Sequence, residues 1–297
     1  MHIGVVLPQV GADWDLCLAS ARHAEEHGAD SVWVIDHVLG FPPARGILEA
    51  WSLMSALAAT TDRVQIGAQV LCQSFRNPAM LAKIAATTDR ISGGRLRMLV
   101  GAGWFQQEYE QFGWEFPSPG VRIEQLRDTV HILKGLLGPH EAFTYEGKHY
   151  SVRDAVNMPL PVQQPLPIEL GGGGDRLLRT VATLADGWNC PGAALGYLDN
   201  RLEFLKSACD KAGRDPSDLR LSCQIVCAVG DEEAAQHPGL AMFNPPLGLV
   251  GTVDQATARA RELIDKGVTD FNCVIPPGSK GRACLERLLN EVRPALG

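Results

Sequence analysis

Four successive glycines, Gly171 to Gly174, stand directly before Asp175. Backbone amides in such a run can converge on a ligand with no side chains in the way. With a strand leading in and a helix leading out, the first-turn N–H groups and the helix dipole favour a phosphate there. Tight-turn geometry alone does not offset the entropic cost of four glycines, so the segment is read as an anion cradle. A second constellation, Val34-Ile35-Asp36-His37, ends an apolar run with an acid and an imidazole. Imidazole suits proton transfer near neutrality. The plainer reading has Asp36 capping a turn and His37 packing under the next loop, and position alone does not separate the two. In Gly101-Ala102-Gly103-Trp104-Phe105-Gln106-Gln107-Glu108, two glycines either admit a flat ligand to the backbone or merely make a tight turn, with Trp104 and Phe105 packed beneath a loop. Arg76 is either a surface residue at a helix start or, with the backbone near Gln69 and Val70, a ligand contact.

Other chemistries are missing by motif. No G-x-x-x-x-G-K-[ST] is present, which removes the P-loop nucleotide hydrolases, and neither G-x-G-x-x-G after the first apolar run nor G-x-S-x-G occurs. The eight cysteines form no C-x-x-C pair, so reduced core thiols are expected and structural zinc or disulfides are not. His23-Ala24-Glu25-Glu26-His27 has a superficial likeness to a zinc helix, but its order is not H-E-x-x-H, and it is expected on the solvent-facing side of the first helix.

The elements that must position these residues follow from the hydrophobic rhythm. Short apolar runs at 3–8, 31–35, 64–70, 95–101, 167–170, 187–190, 219–228 and 270–275 read as parallel strands. Amphipathic stretches at 13–27, 49–60, 78–91, 121–137, 175–185, 196–212, 253–266 and 281–292 read as helices between them, with Asn77-Pro78 opening one and Gly28 and Gly267 closing others. Eight strands alternating with eight helices imply a (β/α)8 TIM barrel, whose chemistry sits at the carboxyl ends of the strands. Two polar, Pro- and Gly-rich stretches break the rhythm as insertions: 138–164 before strand five, with a strand-like piece at 149–152, and 230–250 after strand seven. With 297 residues and 45% hydrophobic content, one domain spanning 1–297 is expected. A net charge of −7 disfavours nucleic acid as a partner. Met1 leads straight into Ile3-Gly4-Val5-Val6-Leu7 with no charged leader, and no apolar stretch approaches roughly 18 residues, so a cytoplasmic chain without a membrane partner is expected.

Taken in order, Val32 to His37, Phe75-Arg76-Asn77-Pro78, Ala85 to Arg95, Gly101 to Phe105, Leu170 to Gly174, Ala185-Asp186-Gly187-Trp188-Asn189 and Gly267 to Phe271 resemble the luciferase-like flavin-dependent superfamily over nearly the whole chain. Leu48-Glu49-Ala50-Trp51 and the four-glycine loop are similar to its branch that uses coenzyme F420, a deazaflavin. The resemblance implies that Asp36 lies near the deazaflavin ring or its ribityl hydroxyls and that His37 faces the substrate. It implies a backbone bulge at Gln69-Val70, often a non-prolyl cis peptide, behind the ring. It also implies cofactor contacts at Cys72, Gly103 and Gln107 and a phosphate loop at Gly171, Gly172, Gly173 and Gly174. Possession of Trp104 and Ala194, where F420-dependent sugar-phosphate dehydrogenases carry a proton-donating Glu and a phosphate-binding Lys, argues against a sugar phosphate. The expected activity is hydride transfer between coenzyme F420 and a small organic substrate. His37 is the first candidate for the accompanying proton, and Glu108 the second, set back by the alternative that it faces outward on a short helix. The rival readings are an FMN-dependent monooxygenase and a non-catalytic flavin or deazaflavin carrier. A homodimer is implied by the resemblance alone.

Overall fold

The computed structural model describes residues 1–42, 45–139 and 141–297, with the side chains at 238, 239 and 242 outside the described set. The elements run β1 (His2–Val6), α1 (Trp14–Glu26), β2 (Ser31–Val34), α2 (Ala50–Thr60), β3 (Gln65–Ala68), β4 (Leu71–Cys72), α3 (Pro78–Ile91), β5 (Leu96–Gly101), α4 (Gln106–Gln111) and α5 (Pro119–Leu137). They continue with β6 (Phe143–Glu146), β7 (Ser151–Ala155), β8 (Ile168–Gly171), α6 (Asp175–Leu184), β9 (Gly187–Cys190), α7 (Leu198–Ala212), β10 (Arg220–Val229), β11 (Leu249–Gly251), α8 (Val253–Asp265), β12 (Asp270–Val274) and α9 (Ser279–Arg287).

Eight parallel strands close into a ring in the order β1, β2, β3, β5, β8, β9, β10, β12 and back to β1. The closed (β/α)8 barrel expected from the sequence is therefore present. Covered by helices outside and by one another within, β2, β5, β9 and β12 are buried at every position, which is why they read as unbroken apolar runs. Helix boundaries follow local chemistry. The Asn77 side chain accepts from the Ala79 and Met80 amides with Pro78 behind it, and Thr252 and Gln255 form a capping box on α8. Gly28 and Gly267 take the positive φ that ends a helix, at 86° and 93°.

The amino end of the barrel is plugged by buried charge. Arg97 lies against the Trp33 ring and donates to Glu169 Oε1, at 2.9 Å from Nε, and to Asp270 Oδ1 at 3.1 Å. Arg220 closes on the same Asp270 oxygen at 2.6 Å. Burial opposes ionisation of Asp270, but Arg220, Arg97 and His2 overcome it and hold the carboxyl below its usual range.

Three details differ from the sequence expectation. The third strand ends at Ala68, leaves the ladder at Gln69-Val70 and resumes as β4, which pairs only with β5. The first insertion holds an antiparallel hairpin, β6 with β7, instead of a single strand-like piece, and the second winds through short 3-10 turns into β11 beside β10. Finally, the 23–27 segment is only partly turned to solvent: Glu26 is exposed and His23 and His27 are half-buried, but Ala24 and Glu25 are buried. Glu25 is buried and its Oε1 accepts from the amides of Asp62, Arg63 and Val64, because the last turn of α1 lies over the loop entering β3. Among the described residues, no helix is long and apolar enough to cross a membrane.

Candidate active site at the carboxyl rim of the barrel

Chain leaving β2 carries Asp36 and His37 to the carboxyl rim, and the two do different work. Asp36 is 4% exposed, and Arg76 grips it with two parallel bonds, Nη1 to Oδ2 at 2.7 Å and Nη2 to Oδ1 at 2.9 Å. The Cys72 amide donates to the same Oδ2 at 2.8 Å. Arg76 also donates to Glu49, which in turn caps α2 by accepting from the Trp51 and Ser52 amides. Asp36 thus ties the exit of β2 to the turn after β4, and the Arg76 surface reading is set aside. Burial works against the Arg76 charge, but the Asp36 and Glu49 carboxylates prevail and hold its pKa above the usual value.

His37 faces the other way. Its Nδ1 is held by Glu108 Oε1, while Glu108 Oε2 accepts from the Val38 amide at 2.9 Å. Glu108 sits on α4 and is fully buried, which corrects the expectation that it might turn outward. A carboxylate can only accept, so Nδ1 carries the proton and Nε2 is left for an external partner. Around the imidazole stand Phe41 at 4.8 Å and Trp104 at 5.7 Å between ring centroids, both edge-on, with Phe105 at 6.1 Å. Trp104 is 56% exposed and parallel to Phe41, so it lines an open mouth instead of packing beneath a loop.

Beside this pair the β3 exit forms a platform. The Gln69-Val70 peptide is cis. Val70 projects between two strand ends: a Cβ on Gly101 or on Gly171 would lie 2.5 Å from one of its methyls. Gln69 is 7% exposed, its Nε2 reaching Asn189 Oδ1 at 3.3 Å while its Oε1 has no hydrogen-bond partner. Cys72 Sγ lies 3.1 Å from the Tyr109 hydroxyl, and burial pushes the thiol up to about 11. Gly103, at φ +78°, has to be glycine because a Cβ would collide with that hydroxyl. Gln107 is half-buried on α4.

Across the rim, the four glycines divide their roles. Gly171 is needed by Val70, and Gly172, at φ +142°, rests on Leu177. Gly173 lies against the Ala194 methyl. Gly174 has nothing within 4 Å of a would-be Cβ and serves as the N-cap of α6 with no side chain to satisfy the first-turn amides. Arg201 closes one flank, donating to Gly173 O at 3.3 Å and Asp175 Oδ1 at 2.6 Å. The open, electropositive part of the loop is therefore Gly173 to Arg176, two residues later in the chain than the glycine run suggests.

The sequence expectations for His37, Glu108, Asp36, Gln69, Val70, Cys72, Gly103, Gln107 and the glycine loop all fall on this rim. Sequence reasoning missed the Glu49 link, Tyr109, Phe41 and Asn189. Glu49 and Asn189 lie inside strings that carry the resemblance, but their partners there, Arg76 and Gln69, come only from folding, and Tyr109 and Phe41 lie in no such string.

Residues 1–266 match the family model described as luciferase-like monooxygenase. F420-dependent glucose-6-phosphate dehydrogenase of Kineococcus radiotolerans is 32% identical over 77% of this chain and 68% of its own length. The enzyme of the same name from Amycolatopsis mediterranei is 32% identical over 82% of this chain and 73% of its own. Among solved structures, an F420-dependent secondary alcohol dehydrogenase in complex with an F420-acetone adduct superposes with a TM-score of 0.85 at 22% identity, covering 100% of this chain and 99% of that one. A monooxygenase from Streptomyces bottropensis gives 0.82 at 20% identity, covering both chains fully at 100%. At such identities the two structures share the fold. On the match over residues 1–266, this chain belongs to the luciferase-like monooxygenase family.

Proposed function

We propose that this chain is an F420-dependent oxidoreductase that moves a hydride between the deazaflavin and a small, uncharged organic substrate. The observation that supports the proton-handling part is the His37–Glu108 pair, in which Glu108 holds Nδ1 and leaves Nε2 for an external partner. Two relatives at 32% identity are named as F420-dependent dehydrogenases, which supports the cofactor.

The residues present suit a phosphorylated tricyclic cofactor. Gln69 Oε1 is buried and unpartnered, Gly103 leaves the backbone bare, and the first turn of α6 is uncapped. The amides from Gly173 to Arg176 would hold the phosphate. Gln69, Val70, Cys72, Gly103 and Gln107 would back and edge the ring, and Asp36, neutralised by Arg76, positions the Cys72 amide. Bound there, the deazaflavin supplies hydride chemistry alone, since carbon replaces the ring nitrogen through which flavins handle single electrons. The protein's part is to place the substrate against Phe41 and Trp104 and to accept or return a proton at His37 Nε2. Glu108 fixes the tautomer and ring angle, as the acid does in other acid–imidazole pairs. At the positions where sugar-phosphate dehydrogenases are expected to carry Glu and Lys, Trp104 and Ala194 offer an indole and a methyl, which favours an uncharged substrate.

Titration of the apoprotein with coenzyme F420 and with FMN tests the reading, followed by turnover on a panel of alcohols, ketones and enones. Preferential F420 binding is expected. His37→Ala and Glu108→Gln should each lower turnover by about 10²–10⁴-fold with cofactor affinity nearly unchanged. Preferential FMN binding with oxygen consumption would overturn the cofactor assignment. Tight F420 binding without turnover on any acceptor would favour a carrier.

A further inference from the structure

We infer that His23, His27 and Glu286 form a binding site for one divalent transition-metal ion of the zinc class, on the outer wall of the barrel where the first and last helices meet. His23 and His27 are one turn apart at the end of α1, and Glu286 comes from α9. Glu286 Oε1 lies 3.5 Å from His23 Nε2 and 3.7 Å from His27 Nε2, and the three atoms all fall within 4.8 Å of one another.

These separations are too long for hydrogen bonds, which need about 2.7–3.2 Å. The two carboxylate–imidazole separations suit a shared cation: ligands about 2.1 Å from a tetrahedral zinc lie about 3.4 Å from each other. The hydrogen bonding agrees. His27 Nδ1 is 2.8 Å from the His23 carbonyl, and a carbonyl only accepts, so Nδ1 donates there and Nε2, on the Glu286 side, is the nitrogen left to bind an ion. Such a Nδ1–H to carbonyl bond is the usual outer support of a metal-bound histidine. His23 Nε2 is buried and has no hydrogen-bond partner. Two imidazole nitrogens and a carboxylate oxygen thus converge where one cation can meet all three. The side chains remain 19%, 33% and 45% exposed, which leaves room for water as a fourth ligand.

Position gives the ion its role. Helices of the barrel return from the carboxyl to the amino ends of the strands, so the last turns of α1 and α9 lie at the end away from the active rim. The same seam is clamped by Arg293, which donates to Gly28 O at 3.0 Å and Asp30 Oδ2 at 2.7 Å. An ion there pins the two ends of the chain together and binds the folded state only, since the ligands are 259 residues apart (286 − 27). Its effect falls on stability and leaves turnover alone.

The test uses chelator-stripped full-length protein titrated with Co²⁺ and then Zn²⁺. One ion per chain is expected, with a ligand-field spectrum of nitrogen and oxygen ligands and no sulfur-to-cobalt charge-transfer band, which separates the site from the eight buried cysteines. Zinc at about a hundredfold excess over Kd should raise Tm by roughly 5 °C. His27→Gln and Glu286→Gln, at partly exposed positions, should abolish saturable binding and the Tm rise while the metal-free Tm and the turnover stay as in the parent. The inference is overturned if the parent chain shows no saturable binding, or if the double variant His27→Gln/Glu286→Gln binds cobalt as the parent does. It is also overturned if the spectrum reports thiolate ligands.

Discussion

Val70 held between Gly101 and Gly171 makes a sharp prediction, because one side chain forbids side chains at two other strand ends. An alanine methyl at Gly171 would sit 2.5 Å from Val70 Cγ1, and one at Gly101 would sit 2.5 Å from Val70 Cγ2. Carbon atoms rest at about 3.5–4.0 Å, so either methyl must displace the valine by about 1 Å, toward the other strand end. Overpacking of this kind costs about 1–3 kcal/mol. For a chain of this size that corresponds to a Tm lower by roughly 2–5 °C. Val70→Ala removes both offending methyls at a cost of its own of about 1–2 kcal/mol, since the site is only half-buried. In the double variant Gly171→Ala/Val70→Ala the clash has no partner. The double variant should then be close to Val70→Ala alone, giving a favourable coupling of about 1–3 kcal/mol. Thermal and denaturant unfolding of the four proteins measure it, with F420 affinity followed in parallel. Strict additivity, with Gly171→Ala costing as much in the Val70→Ala background as in the parent, would refute the claim that the glycine exists to admit this valine.

Glu25 gives a pH signature. Burial raises its pKa, but the amides of Arg63, Val64 and Asp62 outweigh burial and hold it below the usual 4.5. A folded value depressed below the unfolded one stabilises above the unfolded pKa and loses that contribution as pH falls through the folded pKa. Glu25→Gln should therefore cost about 2 kcal/mol at neutral pH and progressively less below about pH 4, as read by urea midpoints across pH. A pH-independent difference would count against it. At the barrel floor, Arg97→Met leaves Glu169 and Asp270 facing each other without their shared cation and should cost about 3–5 kcal/mol by denaturant unfolding. Arg97→Met/Glu169→Leu should recover part of that loss, and no recovery would mean that the charge network is not the cause.

Periodicity and punctuation are local properties, and so the sequence alone was enough for the alternation of strands and helices, for most helix ends and for the site of both insertions. The family resemblance rests on equally local strings, and those strings land on one rim once the barrel closes. Pairings were beyond its reach. His37 and Glu108 are 71 residues apart and Asp36 and Arg76 are 40 apart, and no spacing rule links them; the pairing of β2 with β3 and of β3 with β5 brings them together. A residue's role follows from its partner. Asp36 was legible as an acid at a rim but not as a buried anchor, and Glu108 was legible on a short helix but not as the group that fixes an imidazole. Two glycines of the cradle turn out to answer to Val70 and Leu177, which moves its open side to Gly173 and beyond. The solvent-facing reading of the end of α1 holds for Glu26 but fails for Glu25 for the same reason: what covers a helix is decided by distant chain, here the loop entering β3, which no window on residues 23–27 contains.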